Sequence, residues 1–272
     1  MTARINRDTK LCMSLSGRPG NFGTRFQNHL YETLGLDYVY KAFATQDIEG
    51  AVRGIRALGI RGCAVSMPFK EAVIPLIDAL DPSAASIGAV NTIVNDDGRL
   101  TGYNTDYLAV IALMRRHRVP TDIRWALAGA GGMAKAVASA LIDHGYAGGT
   151  IVARNVDRRT ALAERLGLAH AAEPPVGCGM IVNATPVGMA GGSEAEALSF
   201  PIEAVEEADI VFDVVAIPVE TPLIRAARAA GRRIISGDAV LVLQGREQFV
   251  LYTGVQPDDT AVEAAARLAL SP

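Results

Sequence analysis

In the stretch Trp125-Ala-Leu-Ala-Gly-Ala-Gly-Gly-Met-Ala-Lys-Ala-Val137, a short apolar run opens into glycines and continues as a helix-forming segment. This order predicts a strand, a tight turn and the amino terminus of a helix. Glycines let the backbone of such a turn approach a pyrophosphate, so that its N–H groups can bind phosphate oxygens. Ala134 stands where the third glycine of the pattern usually occurs, and its side chain is small enough for that position. The stretch predicts a dinucleotide-binding turn, with an ordinary strand-to-helix turn as the alternative.

The segment after this turn completes a strand–helix–strand unit. The helix stops at Gly145, and Thr150–Ala153 is predicted as the second strand. Folds that bind NAD usually place an acidic residue at the tip of that strand, whereas Arg154 and Arg158 follow here, and guanidinium donors suit a 2′-phosphate. NADP is therefore favoured over NAD; the alternative is two solvated loop arginines, with Asp157 weakening the positive charge. The predicted cofactor contacts of this unit are Gly129, Ala130, Gly131, Gly132, Met133, Arg154, Asn155 and Arg158.

Composition and charge indicate a globular protein that binds small molecules. Half of the 272 residues are hydrophobic, and the 27 glycines suit the many short connections of an α/β fold. The formal net charge is −3, with acids and bases interspersed, so neither a nucleic-acid surface nor a basic membrane patch is expected. Histidines stand singly and no His/Cys cluster has metal-ligand spacing, so no metal site is expected.

The cysteines and the hydropathy pattern bear on where the protein resides. Cys12, Cys63 and Cys178 are odd in number and widely spaced, which favours free thiols in a reducing compartment. Met1–Lys10 is polar and has no apolar core of a signal sequence, and no segment approaches the roughly 18 to 20 apolar residues of a membrane span. We therefore expect a cytoplasmic protein. Whether it is a monomer or a homodimer is left open.

Alternating strand and helix patterns predict two α/β domains. Residues 1–106 form the first domain, which is completed by helices within 239–272, and residues 107–238 form the second. In the first domain, Thr24 is predicted to cap a helix, Phe69–Leu80 is predicted to be helical, and Asp96-Asp97-Gly98 is predicted to be a hairpin turn. The predicted loop Leu15–Gly23 is rich in glycine, proline and serine.

Two residues of the first half could handle the proton that a hydride transfer leaves behind. Lys70 and Asp106 each follow a strand end, where an α/β sheet presents side chains to its ligand. Desolvation lowers a lysine pKa and favours its role as a base, whereas a nearby carboxylate raises that pKa and fixes the lysine in position. The residues alone leave open which effect is larger.

Several motifs together resemble the shikimate dehydrogenase family over almost the full chain. They are Ser14-Leu-Ser16, Met67-Pro-Phe-Lys70, Ile87-Gly-Ala-Val-Asn-Thr-Ile-Val94, Gly102-Tyr-Asn-Thr-Asp106, Gly129-Ala-Gly-Gly132, Asn183-Ala-Thr-Pro-Val-Gly-Met189 and Leu241-Val-Leu-Gln244. Within the family, the segments Cys12–Pro19 and Phe212–Pro222 most resemble the shikimate 5-dehydrogenase-like branch.

The resemblance implies reversible, NADP-dependent oxidation of shikimate to 3-dehydroshikimate. It implies an N-terminal substrate-binding domain and a Rossmann-type NADP-binding domain with a cleft between them, and Lys70 and Asp106 as the catalytic pair. The implied substrate contacts are Ser14 and Ser16 for the carboxylate, and Ser66, Asn91 and Gln244 for the ring hydroxyls. Further cofactor contacts implied by matched position are Thr185, Val214 and Gly237. Hydroxyl and amide side chains with one ion pair suit a small polyhydroxy acid.

Departures from the family pattern affect the substrate side. Ala64 and Ser66 replace the family's asparagine and threonine before the lysine, Ala216 aligns with a substrate-contacting tyrosine, and Val214 aligns with a cofactor-side methionine. Each lost hydrogen bond to a buried hydroxyl costs about 1–3 kcal/mol, which predicts weak shikimate turnover. A quinate or aminoshikimate dehydrogenase is the nearest alternative, and a non-catalytic protein that senses NADP or a metabolite is the alternative of another class.

Overall fold

The computed structural model describes residues 5–271 and divides into two compact units. The first unit runs to Thr105 and resumes at Gln244, and the second spans Asp106–Leu243. The chain passes between them within two helices, α4 at Thr105–Arg116 and α9 at Gly237–Thr253. The boundaries expected after residue 106 and before residue 239 fall inside these helices. Of the amino-terminal stretch considered above, residues 1–4 lie outside the described part of the chain.

The first unit is a six-stranded mixed sheet with helices around it. Its strands are β1 Lys10–Ser16, β2 Tyr38–Ala44, β3 Gly62–Val65, β4 Ala79–Leu80, β5 Thr92–Asp96 and β6 Arg99–Tyr103. Its helices are α1 Phe22–Thr33, α2 Ile48–Ala57, the short α3 Pro82–Ala85, the second half of α9, and α10 Asp259–Leu270. The order is β2-β1-β3-β5-β6-β4; β1 pairs in parallel with β2 and β3, and β5 and β6 form an antiparallel hairpin.

The predicted hairpin turn Asp96–Gly98 is confirmed, whereas the helix predicted at Phe69–Leu80 is wrong. Asp97 and Gly98 take φ angles of 52° and 92°, the left-handed pair that a tight two-residue hairpin turn requires. The segment predicted as the helix Phe69–Leu80 forms turns, one 3₁₀ turn at Ile74–Leu76 and strand β4, because Pro75 lacks the N–H that would continue a helix.

Two smaller corrections concern the region after β1. The cap of α1 is Asn21 rather than Thr24, which lies inside the helix. The predicted loop Leu15–Gly23 begins two residues too early, because Leu15 and Ser16 still pair with Phe43 and Ala44 of β2. It also ends two residues too late, because α1 begins at Phe22. Pairing with a neighbouring strand thus overrides the local composition, and it places both serines on a regular strand.

The second unit is a six-stranded parallel sheet flanked by helices. Its strands are β7 Trp125–Ala128, β8 Gly149–Val152, β9 Ala169–Ala171, β10 Met180–Asn183, β11 Ile210–Asp213 and β12 Arg233–Ile235. Its helices are the rest of α4, α5 Gly132–Asp143, α6 Val156–Leu166, α7 Ile202–Glu207, α8 Pro222–Ala229 and the start of α9. The order β9-β8-β7-β10-β11-β12 is the 3-2-1-4-5-6 arrangement of a Rossmann sheet, which places a ligand site at the carboxyl ends of β7 and β10.

Trp125 anchors the core of this sheet. Its indole is fully buried and donates from Nε1 to the carbonyl of Tyr146 at 3.0 Å. The ring lies over Gly149 of the neighbouring strand, where a Cβ atom would overlap the indole. The side chain of Trp125 on β7 therefore packs directly against β8, and these are the two apolar strands that the sequence predicts before and after the glycine turn. Among the described residues, no helix is long and apolar enough to cross a membrane.

We expect Gly149→Ala to destabilise the protein, because the added methyl group must displace the buried Trp125 ring. Overpacking of this kind lowers the free energy of unfolding by about 1–3 kcal/mol, which urea denaturation measures. Gly148→Ala is the matched control: its Cβ would be 3.5 Å from the nearest atom, an ordinary contact, so the change should be within about 0.5 kcal/mol. Equal stability of the two variants would show that the Trp125 ring does not restrict the side chain at position 149.

Candidate functional site

The paired serines lie at the carboxyl end of β1, beside the end of β3. The Ser66 N–H donates to the Leu15 carbonyl at 2.9 Å, and the Gly17 N–H donates to the Met67 carbonyl at 3.1 Å, so the chain after β3 is tied to the strand of the serines. Ser14 is partly buried and Ser66 is exposed. Ser16 is buried, and its hydroxyl has no hydrogen-bond partner within the part of the chain that the structure describes. A buried hydroxyl without a partner is a position where a ligand can bind.

Asn91 has the most constrained side chain of this unit. Its Oδ1 accepts three hydrogen bonds: from the Thr105 N–H at 2.8 Å, the Thr105 hydroxyl at 3.1 Å and the Thr92 hydroxyl at 2.9 Å. These donors fix which side of the amide carries oxygen. The Asn91 Nδ2 is fully buried and has no acceptor among the described residues. The amide therefore presents two N–H donors to whatever binds beside it.

Lys70 is held by its backbone next to Asn91. The Lys70 carbonyl accepts from the Val90 N–H at 2.8 Å, and the Phe69 N–H donates to the Ser66 carbonyl at 2.9 Å. The lysine thus belongs to a compact turn rather than to the first turn of the predicted helix. Asp106 is buried in the first turn of α4 and begins the second unit.

Gln244 and Gln248 follow each other by one turn on α9, so both lie on one face of the helix. Gln244 is partly buried, whereas Gln248 is buried and donates from Nε2 to the Thr92 hydroxyl at 3.0 Å. The Gln27 side chain donates to the Gly245 carbonyl at 2.8 Å and fixes the helix against α1. Gln248, Thr92 and Thr105 thus support Asn91, although the sequence analysis did not identify them. The four-residue spacing from Gln244, which places both glutamines on one face of a helix, is the sequence feature that could have identified Gln248.

In the second unit, the glycine turn has the form that a pyrophosphate requires. Gly129 takes a φ of 117°, and a Cβ there would be 2.9 Å from the Ala184 carbonyl oxygen, so only glycine fits. Nothing lies within 4 Å of the Cβ positions of Gly131 and Gly132, which leaves open space over the turn. Helix α5 starts there without a side-chain cap, so its first N–H groups are available to an anion. These residues fit the phosphates of a dinucleotide.

A cavity of about 530 Å³ lies beside this turn, within the second unit. Seven of the predicted cofactor residues line it: Gly129, Ala130, Gly131, Arg154, Asn155, Arg158 and Thr185. The predicted contacts Gly132, Met133, Val214 and Gly237 are not among its lining residues. Asn155 also caps α6, because its Oδ1 accepts from the Arg158 N–H at 2.9 Å. The Arg154 guanidinium is paired with Glu194 at 3.0 Å.

The buried carboxylate of Asp213, at the end of β11, is hydrogen-bonded to residues of the neighbouring strand β10 and of the loop after β11. Asp213 accepts from the Asn183 amide at 2.9 Å, the Val215 N–H at 3.0 Å and the Thr221 hydroxyl at 2.6 Å. Burial raises the pKa of the Asp213 carboxyl, and these hydrogen bonds oppose that rise. Thr185 is held by the same network, since its hydroxyl donates to Asn183 Oδ1 at 2.6 Å.

Val214 and Gly237 are positioned by the same region of the unit. The Val214 N–H donates to the Asn183 carbonyl at 3.0 Å. A Cβ on Gly237 would overlap the Val215 carbonyl, so α9 begins in direct contact with the loop after β11. No group of three or more His, Cys, Asp or Glu residues that could hold a metal ion occurs between residues 5 and 271.

Known proteins resemble this chain along its whole length. The family model "Shikimate dehydrogenase substrate binding domain" matches residues 22–93. A shikimate dehydrogenase-like protein of Haemophilus influenzae is 52% identical over 266 residues, 97% of this chain and 98% of that protein. The solved structure of a shikimate 5-dehydrogenase-like protein matches with a TM-score of 0.95 and 51% identity, covering 98% of this chain and 100% of its own. Shikimate 5-dehydrogenase from Thermus thermophilus, solved with NADP(H) and shikimate, matches with a TM-score of 0.85 and 33% identity, covering 96% and 100%.

We expect Thr221→Val to lower the free energy of unfolding by about 2–4 kcal/mol at pH 7, because it removes both the cap of α8 and a hydrogen bond to the buried Asp213 carboxylate. Because the pKa of Asp213 is raised in the folded protein, its protonated carboxyl stabilises the fold. This contribution to the free energy of unfolding is fully present below the usual pKa of 3.8 and is lost as pH rises through the folded-state pKa. Thr221 stabilises the ionised form, so its loss should matter less near pH 3.8.

Urea denaturation of a double-mutant cycle with Asp213→Asn tests this explanation. The cost of Thr221→Val should shrink in the Asp213→Asn background, where no buried charge remains for the hydroxyl to stabilise. A cost that is the same at both pH values and in both backgrounds would show that Thr221 acts only as a helix cap.

Proposed function

Because the chain belongs to the shikimate dehydrogenase family, we propose that it interconverts shikimate, or a close cyclic hydroxy acid, with the 3-dehydro acid. The predicted family and its 5-dehydrogenase-like branch are confirmed, as is the α/β fold with a Rossmann sheet. The predicted oxidoreductase class and NADP cofactor are confirmed by this family membership and by the related shikimate 5-dehydrogenase from Thermus thermophilus, solved with NADP(H) and shikimate. The substrate and the residue roles remain proposals.

One observation carries the proposed substrate class: the buried donors of the first unit lack acceptors in the protein. Asn91 Nδ2 and the Ser16 hydroxyl are both buried without partners among the described residues. Leaving such groups unpaired costs about 1–3 kcal/mol each, so they favour a ligand that accepts hydrogen bonds. A carboxylate and ring hydroxyls, as in shikimate, supply acceptors of this kind. An apolar ligand would leave both groups unpaired.

The proposed roles follow from the chemistry of each side chain. Lys70 accepts the hydroxyl proton as the ring carbon is oxidised, and Asp106 is its partner in the catalytic pair. Ser14 and Ser16 bind the carboxylate, and the ring hydroxyls are bound by Ser66, Asn91 and Gln244. When bound, NADP supplies the hydride acceptor. The glycine turn and the first turn of α5 bind its phosphates, Arg154 and Arg158 bind its 2′-phosphate, and Thr185, Val214 and Gly237 flank its nicotinamide end.

The departures from the family pattern support a protein that is slower with shikimate than the biosynthetic enzyme. Ala64 and Ala216 offer no hydrogen bond where the family has polar side chains. The physiological substrate could therefore be quinate or aminoshikimate, which present a different substituent to the same donors. Retention of Lys70 and Asp106 favours an enzyme over a non-catalytic sensor, since a sensor does not need a base.

We also propose a cytoplasmic location and a monomeric or homodimeric state. All three cysteines are free and buried, and burial raises the pKa of the Cys12 thiol to about 12. Thiols held in this neutral form react slowly with oxidants and suit a reducing compartment.

A steady-state screen of NADP and NAD reduction with shikimate, quinate and aminoshikimate tests the proposal. We expect reduction of NADP with at least one of these acids, and a lower turnover with shikimate than a biosynthetic shikimate dehydrogenase gives in the same assay. A preference for quinate with NAD would support the alternative dehydrogenase. Tight binding of NADP without hydride transfer to or from any of them would favour the sensor.

Lys70→Ala should lower turnover about 10²- to 10⁴-fold, the usual contribution of a positioned base, while NADP binding measured by calorimetry stays unchanged. Lys41→Ala is the control: this exposed lysine of β2 lies over the Phe43 ring, 4.2 Å from its centre, and its loss should leave turnover intact. Turnover by Lys70→Ala at the level of the unaltered protein would exclude Lys70 as the base.

A further inference from the structure

Arg154, proposed to bind the 2′-phosphate, already binds a carboxylate of the protein. Its Nη1 and Nη2 donate to the two oxygens of Glu194, each at 3.0 Å. This is the two-pronged geometry with which a guanidinium recognises a carboxylate or a phosphate. The contact occupies one full edge of the guanidinium, so a 2′-phosphate cannot bind that edge unless Glu194 leaves it.

Glu194 lines the cavity beside the glycine turn, so its carboxylate does more than neutralise an exposed arginine. Both members of the pair line the cavity of about 530 Å³, together with Gly129–Gly131 and Thr185. Arg158 lines it too, and its guanidinium has no ion pair with any described residue. The two arginines at the strand tip are therefore not equivalent: one is available to an anion and the other is engaged.

The backbone holds Glu194 in this place. Its carbonyl accepts from the Gly188 N–H at 2.9 Å and from the Ala197 N–H at 3.2 Å. Gly188 belongs to the loop Ala184–Met189, which the family relationship assigns to the nicotinamide side of the cofactor. The carboxylate is thus carried by an ordered turn that is tied to the rest of the cofactor site.

Glu194 also supplies a carboxylate, which the residues directly after β8 do not. Folds that bind NAD bond the ribose 2′-hydroxyl with a carboxylate at that tip, and here Ala153 and Arg154 follow the strand instead. Glu194 brings a carboxylate into the same cavity from a loop 40 residues later. A 2′-hydroxyl can donate to it, whereas a 2′-phosphate is repelled by its charge and competes with it for Arg154.

We propose that Glu194 determines cofactor preference, by occupying the 2′-phosphate contact of Arg154 and offering an acceptor to the 2′-hydroxyl of NAD. This inference rests on the proposed function, in which Arg154 and Arg158 bind the 2′-phosphate, and deepens it: the protein binds NADP less tightly than these arginines alone would allow, and it retains measurable affinity for NAD.

Calorimetric titration with NADP and with NAD tests the inference on the full chain. In Glu194→Gln, NADP should bind about three- to tenfold more tightly, as expected for removal of a competing ion pair and a like charge. NAD should bind equally or more weakly, so the preference for NADP rises at least threefold. Arg154→Ala should lose NADP affinity about tenfold, as expected for loss of a charge-assisted contact to phosphate.

Glu196→Gln is the matched control. Glu196 lies two residues further along the same segment and pairs with Arg225 at 3.2 Å, but it does not line the cavity. Its substitution should leave both affinities unchanged, and thermal melting should confirm that all variants fold. An unchanged or lowered preference for NADP in Glu194→Gln, in a protein that binds NADP, overturns this inference alone. Absence of NADP binding by the unaltered protein overturns it together with the proposed function.

Discussion

The orientation of one buried amide, that of Asn91, determines the chemistry of the first unit. Three donors converge on its oxygen, so the amide cannot rotate without leaving several hydrogen bonds unmade. Its nitrogen is buried and has no acceptor among the described residues, a state that costs about 1–3 kcal/mol. A folded protein tolerates that cost where a ligand removes it. Thr105 and Gln248, which complete this network, belong to the two helices through which the chain enters and leaves the second unit.

The second unit uses a buried polar group in a related way. Asp213 ends β11, and its carboxylate accepts hydrogen bonds from the amide of Asn183, at the end of β10, and from the hydroxyl of Thr221, the cap of α8. These hydrogen bonds help to fix the segments after β10 and β11 against each other. Asn183 and Asp213 stand at the carboxyl ends of β10 and β11, where an α/β sheet presents side chains to its ligand. Asn91 directly precedes β5 and lies beside the carboxyl end of β3, since its carbonyl accepts from the Val65 N–H. Rigid support of this kind keeps donors in place before the ligand arrives.

The sequence was sufficient for features that depend on local backbone geometry. The glycine turn was predictable because only glycine tolerates the φ of Gly129 and the approach of the Ala184 carbonyl. The helix predicted at Phe69–Leu80 was wrong, because Pro75 lacks the N–H that would continue a helix and the end of the segment pairs with β6 as strand β4. Contacts between distant segments were not predictable. Glu194 meets Arg154 across 40 residues, and Gln248 meets Thr92 across 156, and neither pair has a local signature.

A crystal structure of the protein with NADP and shikimate bound together tests whether the unpaired donors of the first unit bind the substrate. We expect a ring hydroxyl within hydrogen-bonding distance of Asn91 Nδ2, about 2.7–3.2 Å, and the carboxylate on the Ser16 hydroxyl. We also expect the Lys70 side-chain nitrogen to face the hydroxyl of the carbon that is oxidised. Shikimate bound with Asn91 Nδ2 and the Ser16 hydroxyl still unpaired, or bound away from Lys70, would show that these residues do not bind the substrate as proposed.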